Sequence, residues 1–429
     1  MRLLRRLAAY VLFWLALPVL LGHPKLRLGF KRRMGLHPPG WPDLPPGPRV
    51  WLHGASAGDV LALKPLAREL ARLRPDARLV ATTITNSGQA MAAKLDGTFG
   101  AVTFAPWDVP GPVARTLRRV DPKVLVLEYT ELWPELIDAA HRRGVRLVLH
   151  NGRFSAERLD GYRWLFTLTG NLLQRFDLLL MRDEYEAERA RRLGAPAETV
   201  FVTGNTKFDN LVVEVPEGRR QELARALAVP AGGRLWVAGS THEGEEELLL
   251  DTYLRLRASF PDLHLCLAPR YVERAGRVVA MASRRGLRAR LRTAAPEPAE
   301  VVVVDTIGEL VACYSLADLV FVGGSFVTRG GQNILEPAAC ARPVLFGPHM
   351  ENFTDAVQVL LGRGGLQVAS PEQLGRVLVD LLGREAYRRE LGEMARNQVT
   401  SVRGAARRNA ELVAGLLPAP QRAAASPGL

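Results

Sequence analysis

Cysteine is nearly absent. The 429 residues hold three, Cys266, Cys313 and Cys340, with no C-x-x-C pair among them. An odd count among apolar or small neighbours excludes a disulfide framework and a cysteine-type zinc site, and fits a reducing compartment. No second His or Cys stands at ligand spacing from His242, so that histidine carries no metal signal. Aromatics make up 7% of the chain and are not interleaved with basic runs, so no nucleic-acid-binding module is present. No internal repeat appears, and no A-x-A-like cleavage site follows the N-terminal apolar stretch as a secretory signal would require. Acid is in deficit: 44 Asp and Glu stand against 57 Lys and Arg, a net charge of +13. Such a surplus favours anionic partners such as nucleotides, phosphorylated lipids or an anionic membrane surface. Part of it is simply Arg-rich helix faces, as in ARELARLR and AERARRLG.

What remains is an ordinary globular composition, 48% hydrophobic and 24% charged, long enough for roughly two to three domains. The first residues stand apart. MRLLRR is followed by the uncharged run LAAYVLFWLALPVLLG, residues 7–22. As a helix it would span ~24 Å at ~1.5 Å per residue, short of the ~30 Å hydrocarbon core, and Pro18 would kink it. Spanning helix and shallow monotopic anchor both stay open. The next segment, KLRLGFKRR, alternates basic and apolar residues as an interfacial stretch does. Residues 1–36 therefore read as a membrane anchor with a basic interfacial segment. The Pro- and Gly-rich HPPGWPDLPPGP, 37–48, reads as a stiff linker.

Beyond the linker, short apolar runs alternate with amphipathic stretches. RVWLHG, RLVATTI, AVTFAP, KVLVLE, RLVLHN, LLLMRD and VFVTGN end in small or polar residues. After a break near residue 210 the alternation restarts with RLWVAGS, LHLCLAP, VVVVDT, DLVFVGG, PVLFGP and GLQVAS. Strands alternating with helices predict βαβ units and parallel sheets covered on both faces. The expectation is two doubly wound α/β domains, 49–210 and 211–416 with its terminal helices, facing a central cleft at the carboxyl ends of their strands. Residues 417–429 are expected to be a disordered tail.

The chemistry-bearing residues cluster where these runs end. In the second half, GGSFVTRGGQNILEP pairs glycines that permit positive φ and close approach, including Gly331. A helix is expected to begin near Asn333, offering free N–H groups to a phosphate, with Glu336 turned to ribose hydroxyls. In DTIGEL, Thr306 and Glu309 could form a capping box, while the backbone at Ile307 and Gly308 could meet a base. Arg270 follows a strand and could fork onto phosphate oxygens or pair at the surface. In AGSTHEGE, Ser240 and Thr241 could cap a helix or bind phosphate. In the first half, GASAGD carries one carboxylate, Asp59, with Ser56 and Gly58 beside it. Asp59 could serve a reaction, or it could cap the helix VLALKPLAREL. TTITNSGQ contributes Thr83, EYTELWP contributes Glu128 and Glu131, and NGRFS contributes Arg153. Pro134 argues against Glu128 and Glu131 sharing one helix face.

Read together and in order, HGASAGD, TELWPELI, NGRFS, VTGNTKFD, AGSTHEGEEE, LAPRYVER, DTIGEL, VGGSFVTRGGQNILEPAA and FGPHMENF strongly resemble the 3-deoxy-D-manno-octulosonic acid (Kdo) transferases of lipopolysaccharide biosynthesis. The resemblance implies a GT-B glycosyltransferase fold of two Rossmann-like domains. It implies CMP-Kdo as donor and a lipid A precursor as acceptor. It further implies inversion at the anomeric carbon without a metal ion or other cofactor, at the cytoplasmic face of the inner membrane. By that resemblance Arg270, Gly308, Glu309, Asn333 and Glu336 fall to the donor, and the loop positions Ser240, Ile307 and Gly331 are expected beside it. Ser56, Gly58, Thr83 and Arg153 fall to the acceptor. Asp59 takes the position of the family's catalytic Glu, and Glu131 that of a second carboxylate.

The sequence departs from the family pattern twice. Asp59 is one methylene shorter than Glu, and a misplacement of ~1 Å can cost on the order of 10²-fold in rate. Gln332 stands where a His is usual and cannot become cationic. Two other readings remain at this level. One is a GT-B glycosyltransferase or epimerase using a UDP-sugar; the other is a catalytically silent nucleotide-binding membrane scaffold.

Overall fold

The central apolar runs of the first half are rich in Val and Leu and are buried along nearly their whole length, which suits strands covered on both faces; the edge runs AVTF and VFV are less so. In the computed structural model, which describes residues 2–22, 27–95, 97–211 and 215–419, they form β1 (Arg49–His53), β2 (Arg78–Thr83), β3 (Ala101–Phe104), β4 (Pro122–Glu128), β5 (Arg146–Gly152), β6 (Leu178–Met181) and β7 (Val200–Val202). The second half supplies β8 (Arg234–Thr241), β9 (Leu263–Pro269), β10 (Ala289–Leu291), β11 (Val301–Val303), β12 (Leu319–Val322), β13 (Val344–Phe346) and β14 (Gly365–Gln367). Each set makes one 7-stranded parallel sheet.

The first sheet runs β3-β2-β1-β4-β5-β6-β7 and the second β10-β11-β9-β8-β12-β13-β14. Strand order reverses between β1 and β4 in one and between β8 and β12 in the other. Ligands of doubly wound sheets bind outside the carboxyl ends of the strands at such a reversal. GASAGD follows β1 and EYTELWP begins at the end of β4. AGSTHEGE completes β8 and GGSF follows β12. Topology therefore selects the same loops that the residue chemistry had singled out.

The chain divides into two compact units, one of residues 1–210 with 403–429, the other of 211–402. This corrects the expected boundary of the second domain. The helix Ala405–Gly415, expected with it, returns to the first. Its buried Ala410 and Val413 join Val50, Leu52, Leu63, Leu66 and Leu70 over one side of the first sheet. Asp209 fastens its start, accepting from Gly404 N at 2.5 Å and Ala406 N at 2.6 Å. Leu417 is packed into the same cluster, and Pro418 O accepts from Arg74 Nη2 at 2.8 Å. The beginning of the expected disordered tail is thus ordered; residues 420–429 lie outside the described residues. Asp209→Ala is expected to lower stability by about 1–2 kcal/mol, the loss of a good helix cap. Urea melts followed by tryptophan fluorescence would measure it.

The N-terminal segment forms a helix, Arg2–Gly22, with Pro18 inside it. Arg6 pairs with Glu135, Nε to Oε2 at 3.1 Å, and Phe13 packs against Trp107 with ring centroids 6.1 Å apart. Leu7, Val11, Leu12, Trp14, Leu15 and Val19 are left exposed. Among the described residues no helix is long and apolar enough to cross a membrane. The basic segment also departs from expectation. Lys25 and Leu26 lie outside the described residues, but Arg33 is turned inward and only 1% exposed. Its Nη2 donates to Ile84 O at 2.5 Å and its Nε to Leu28 O at 3.2 Å. Its guanidinium sits 4.3 Å above the Phe104 ring. Burial without an acidic partner pushes its pKa down to about 10. Arg33 is an aromatic-packed staple of the first unit, not a headgroup contact.

Candidate functional site

The small residues of GASAGD have a local purpose. Ser56 is extended at φ −120° and caps the helix Ala57–Leu73. Asp59, expected as the possible cap, is instead the third helical residue. Ser56 N donates to Asp59 Oδ2 at 2.8 Å, and Asp59 N to Ser56 Oγ at 3.4 Å. This is a capping box closed by an Asp rather than the usual Glu or Gln. A Cβ on Gly54 would lie 2.9 Å from Asp59 Cβ, so only glycine lets the carboxylate fold back over the loop. One oxygen is spent on the cap. Among the described residues Oδ1 accepts no hydrogen bond, and the side chain is partly exposed. Capping and proton acceptance can therefore coexist on one side chain without movement.

Glu128 and Glu131 diverge. Glu128 is buried, accepting from Asn151 Nδ2 at 2.8 Å and lying 2.5 Å from His150 Nδ1. Asn151 also donates to Thr206 Oγ1 at 2.7 Å, and Thr206 donates to Ala62 O at 3.0 Å. This network ties the ends of β4 and β5 to the helix that carries Asp59. Glu131 faces outward, accepting from Trp133 Nε1 at 2.8 Å. Pro134 opens the helix Pro134–His141, which is why the two carboxylates share no helix face. Arg153 is exposed just after β5. Gly58 is exposed in the first turn of its helix. Thr83 is a correction: it is fully buried, its side chain against Gly88, and as it stands it cannot meet a ligand. The loop's outward hydroxyl is Thr85, which caps the helix Asn86–Lys94 through Gly88 N at 3.1 Å.

In the second unit, the residue missed by sequence reasoning is Glu245. It is fully buried. Its Oε2 accepts from His242 N at 2.9 Å and Gly324 N at 2.7 Å; its Oε1 accepts from Ser325 N at 3.0 Å and Phe326 N at 2.9 Å. Of the first glycine pair, the Gly324 amide is thus taken by an internal carboxylate and that of Gly323 by Gly239 O at 2.9 Å, so this loop is no free anion cradle. Three adjacent acids had hidden it as an ordinary acidic helix start; only the crossing of β8 and β12 loops distinguishes it. The cap of the helix Glu245–Arg257 is Gly244 at φ 90°, not Ser240 or Thr241. Ser240 stands at φ 55° where β8 bulges against β9. Thr241 Oγ1 donates to Glu246 Oε1 at 3.1 Å, which also takes Arg274 Nη1 at 2.9 Å.

Arg270 is exposed at the end of β9 with no ion pair among the described residues, so the surface-pair reading fails for it. Ile307 is 86% exposed and Gly308 takes φ 88°, presenting backbone outward. Glu309 turns inward: Arg219 Nη2 and Arg292 Nη2 each donate to its Oε1 at 2.9 Å. Thr306 donates to Glu309 as well and caps nothing, because the helix Leu310–Leu316 has no side-chain cap. The helix expected near Asn333 opens only at Leu335 and ends at Ala339. Asn333 braces that turn, its Oδ1 accepting from Leu335 N and its Nδ2 donating to Glu336 Oε1, both at 3.1 Å. Burial pushes the Glu336 carboxyl up, opposed by the Asn333 hydrogen bond. Gly331 at φ 77° has no room for a Cβ beside Met350 Sδ.

Solved structures with the same fold are GT-B proteins. A UDP-GlcNAc 2-epimerase from Neisseria meningitidis matches 86% of this chain and 99% of its own at TM-score 0.57 and 12% identity. A glycosyltransferase from Rickettsia africae matches 86% and 98% at TM-score 0.56 and 11% identity. The sequence model described as 3-Deoxy-D-manno-octulosonic-acid transferase (kdotransferase) matches residues 27–210. The 3-deoxy-D-manno-octulosonic acid transferase of Chlamydophila psittaci is 33% identical over 365 residues, 83% of this chain and 81% of its own. That of Haemophilus influenzae is 32% identical over 398 residues, 91% of this chain and 92% of its own. With relatedness of that depth running through both units, the chain belongs to the 3-deoxy-D-manno-octulosonic acid transferase family.

Proposed function

We propose that this Kdo transferase of lipopolysaccharide biosynthesis takes Kdo from CMP-Kdo and places it on a lipid A precursor by a single inverting displacement without a metal ion. The observation that carries the mechanism is the divided Asp59 carboxylate, with Oδ2 fixed by Ser56 N at 2.8 Å and Oδ1 available. The acceptor hydroxyl oxygen forms the new bond to the anomeric carbon. The bond from that carbon to the CMP phosphate oxygen breaks, and its electron pair leaves with CMP. The hydroxyl proton passes to Asp59 Oδ1. Glu131 and Arg153 hold the acceptor beside the first sheet, with Ser56 and Gly58 lining the approach.

CMP binds at the second unit. Arg270, without an ion pair among the described residues and always charged, takes the phosphate as negative charge develops on it. The backbone of Ile307 and Gly308 meets the base, with Glu309 locking that loop through its two arginines. Glu336, braced by Asn333, accepts from ribose hydroxyls, and Gly331 and Ser240 allow close backbone approach. The exposed apolar face of the helix Arg2–Gly22, with the basic surplus of the chain, suits contact with the anionic cytoplasmic face of the inner membrane.

The test is donor choice followed by transfer. CMP is expected to raise the melting temperature of the protein where UDP does not, and CMP-Kdo with a lipid A precursor to give Kdo-bearing product. Arg270→Ala should raise the KM for CMP-Kdo by roughly tenfold or more, the loss of a charge-assisted contact to phosphate. Protection by UDP alone would favour a UDP-sugar enzyme, and CMP binding without transfer a silent scaffold.

A further inference from the structure

The buried end of β1 carries a chain of polar contacts that the transfer chemistry leaves unused. Thr82 lies directly beside His53 in the parallel ladder. The Trp51 Nε1–H donates to Thr82 Oγ1 at 2.7 Å, and the same hydroxyl lies 2.9 Å from His53 Nδ1. An indole nitrogen can only donate, so the Thr82 proton is free to point at Nδ1, an arrangement that puts the imidazole proton on Nε2. His53 is fully buried, and among the described residues Nε2 has no hydrogen-bond partner. It faces Glu131 Oε2 at 3.7 Å, beyond a full hydrogen bond but within ion-pair range. Trp133 donates to the same oxygen at 2.8 Å and stands edge-on to the His53 ring, centroids 5.8 Å apart. The Glu131 side chain is 26% exposed. In that arrangement a buried imidazole turns an N–H toward a partly exposed carboxylate.

We propose that His53 is a positioning residue for the transfer reaction, holding the Glu131 carboxylate in orientation and charge through its Nε2–H, with Thr82 setting its tautomer. The inference rests on the reading that Glu131 borders the acceptor. Among the described residues His53 is the one ionisable side chain that bears on Glu131; Glu128 is taken by His150 and Asn151, and Glu135 by Arg6 and Arg142. Burial pushes the Glu131 carboxyl up, but His53 and Trp133 outweigh burial and leave it below its ordinary value. Removing His53 would let it rise, so an acid limb set by Glu131 would move to higher pH.

The experiment is the pH profile of kcat, from about pH 3.5, below the ordinary Glu range, to about pH 9, for wild type, His53→Leu, His53→Gln, Thr82→Val and Glu131→Gln. His53→Leu is expected to lower kcat about tenfold, leave the KM for CMP-Kdo unchanged and move the acid limb upward. His53→Gln, whose amide nitrogen reaches the Nε2 position, should recover most of kcat. Thr82→Val removes only a hydroxyl and should shift the limb the same way by less, which keeps the test informative if His53→Leu does not fold. Added to Glu131→Gln, His53→Leu should cause no further shift. A fall in kcat with an unmoved acid limb in both His53→Leu and Thr82→Val would overturn the proposal alone. Wild-type kcat in Glu131→Gln would instead overturn the placement of Glu131 beside the acceptor.

Discussion

Asp59→Asn is expected to lose roughly 10²–10⁴-fold in kcat, the usual contribution of a general base, while folding almost as well as wild type. The amide oxygen of Asn can still accept from Ser56 N, so the capping box of the helix Ala57–Leu73 survives while basicity is removed. Asp59→Ala loses both. Its turnover should fall as far, and its stability should drop by a further ~0.5–1 kcal/mol as Ser56 N loses its acceptor and the capping box its second half. The pair of variants separates the capping contact of Asp59 Oδ2 from the proton acceptance proposed for Oδ1. Asp59→Glu is the third arm. Its longer side chain would have to bend to keep the bond to Ser56 N, within a loop where Gly54 leaves little spare volume. Single-turnover transfer with saturating CMP-Kdo, alongside urea melts, would read all three. Full activity in Asp59→Asn would reduce Asp59 to a cap and send the search for the base to Glu131.

The second large effect belongs to stability. Glu245→Ala would strip the acceptors from four buried amides, those of His242, Gly324, Ser325 and Phe326. Each unsatisfied donor costs about 1–3 kcal/mol, and a typical domain holds only ~5–15 kcal/mol in all. The second unit of Glu245→Ala is expected not to fold. Glu245→Gln keeps one oxygen and is the measurable variant. It should lower the melting temperature by roughly 5–10 °C and weaken CMP binding, because the loops after β8 and β12 no longer lock together. A Glu245→Gln protein that melts and binds CMP as wild type does would show that the two loops hold without that carboxylate.

How far the sequence could be read follows from what each interaction leaves in it. Parallel strands buried on both faces leave unbroken Val- and Leu-rich runs, so both sheets and the loops at their carboxyl ends were legible. Family motifs then assigned residues to donor and acceptor. Side-chain direction was not legible. Thr82 and Thr83 are neighbours on one strand, and alternation sends one to His53 and the other against Gly88; composition cannot rank them. Arg33 looked like its basic neighbours because nothing local shows the Phe104 ring that receives it. Glu309 had the spacing of a capping box, yet two arginines distant in sequence claim its carboxylate. The helix Ala405–Gly415 was legible as amphipathic, but an apolar stripe does not say which sheet it covers.

That returning helix also sets an order of events during synthesis. The side of the first sheet that it covers, with Leu63, Leu66 and Leu70, is made before Asp209, but its cover is made only after all of Leu211–Val402. At ~5–20 residues per second, the gap is on the order of 10–40 s. Throughout that interval the nascent first unit would carry an open apolar flank while the second unit folds behind it. The flank closes last, and the helix that bears Asp59 receives its final support only when both halves of the enzyme exist.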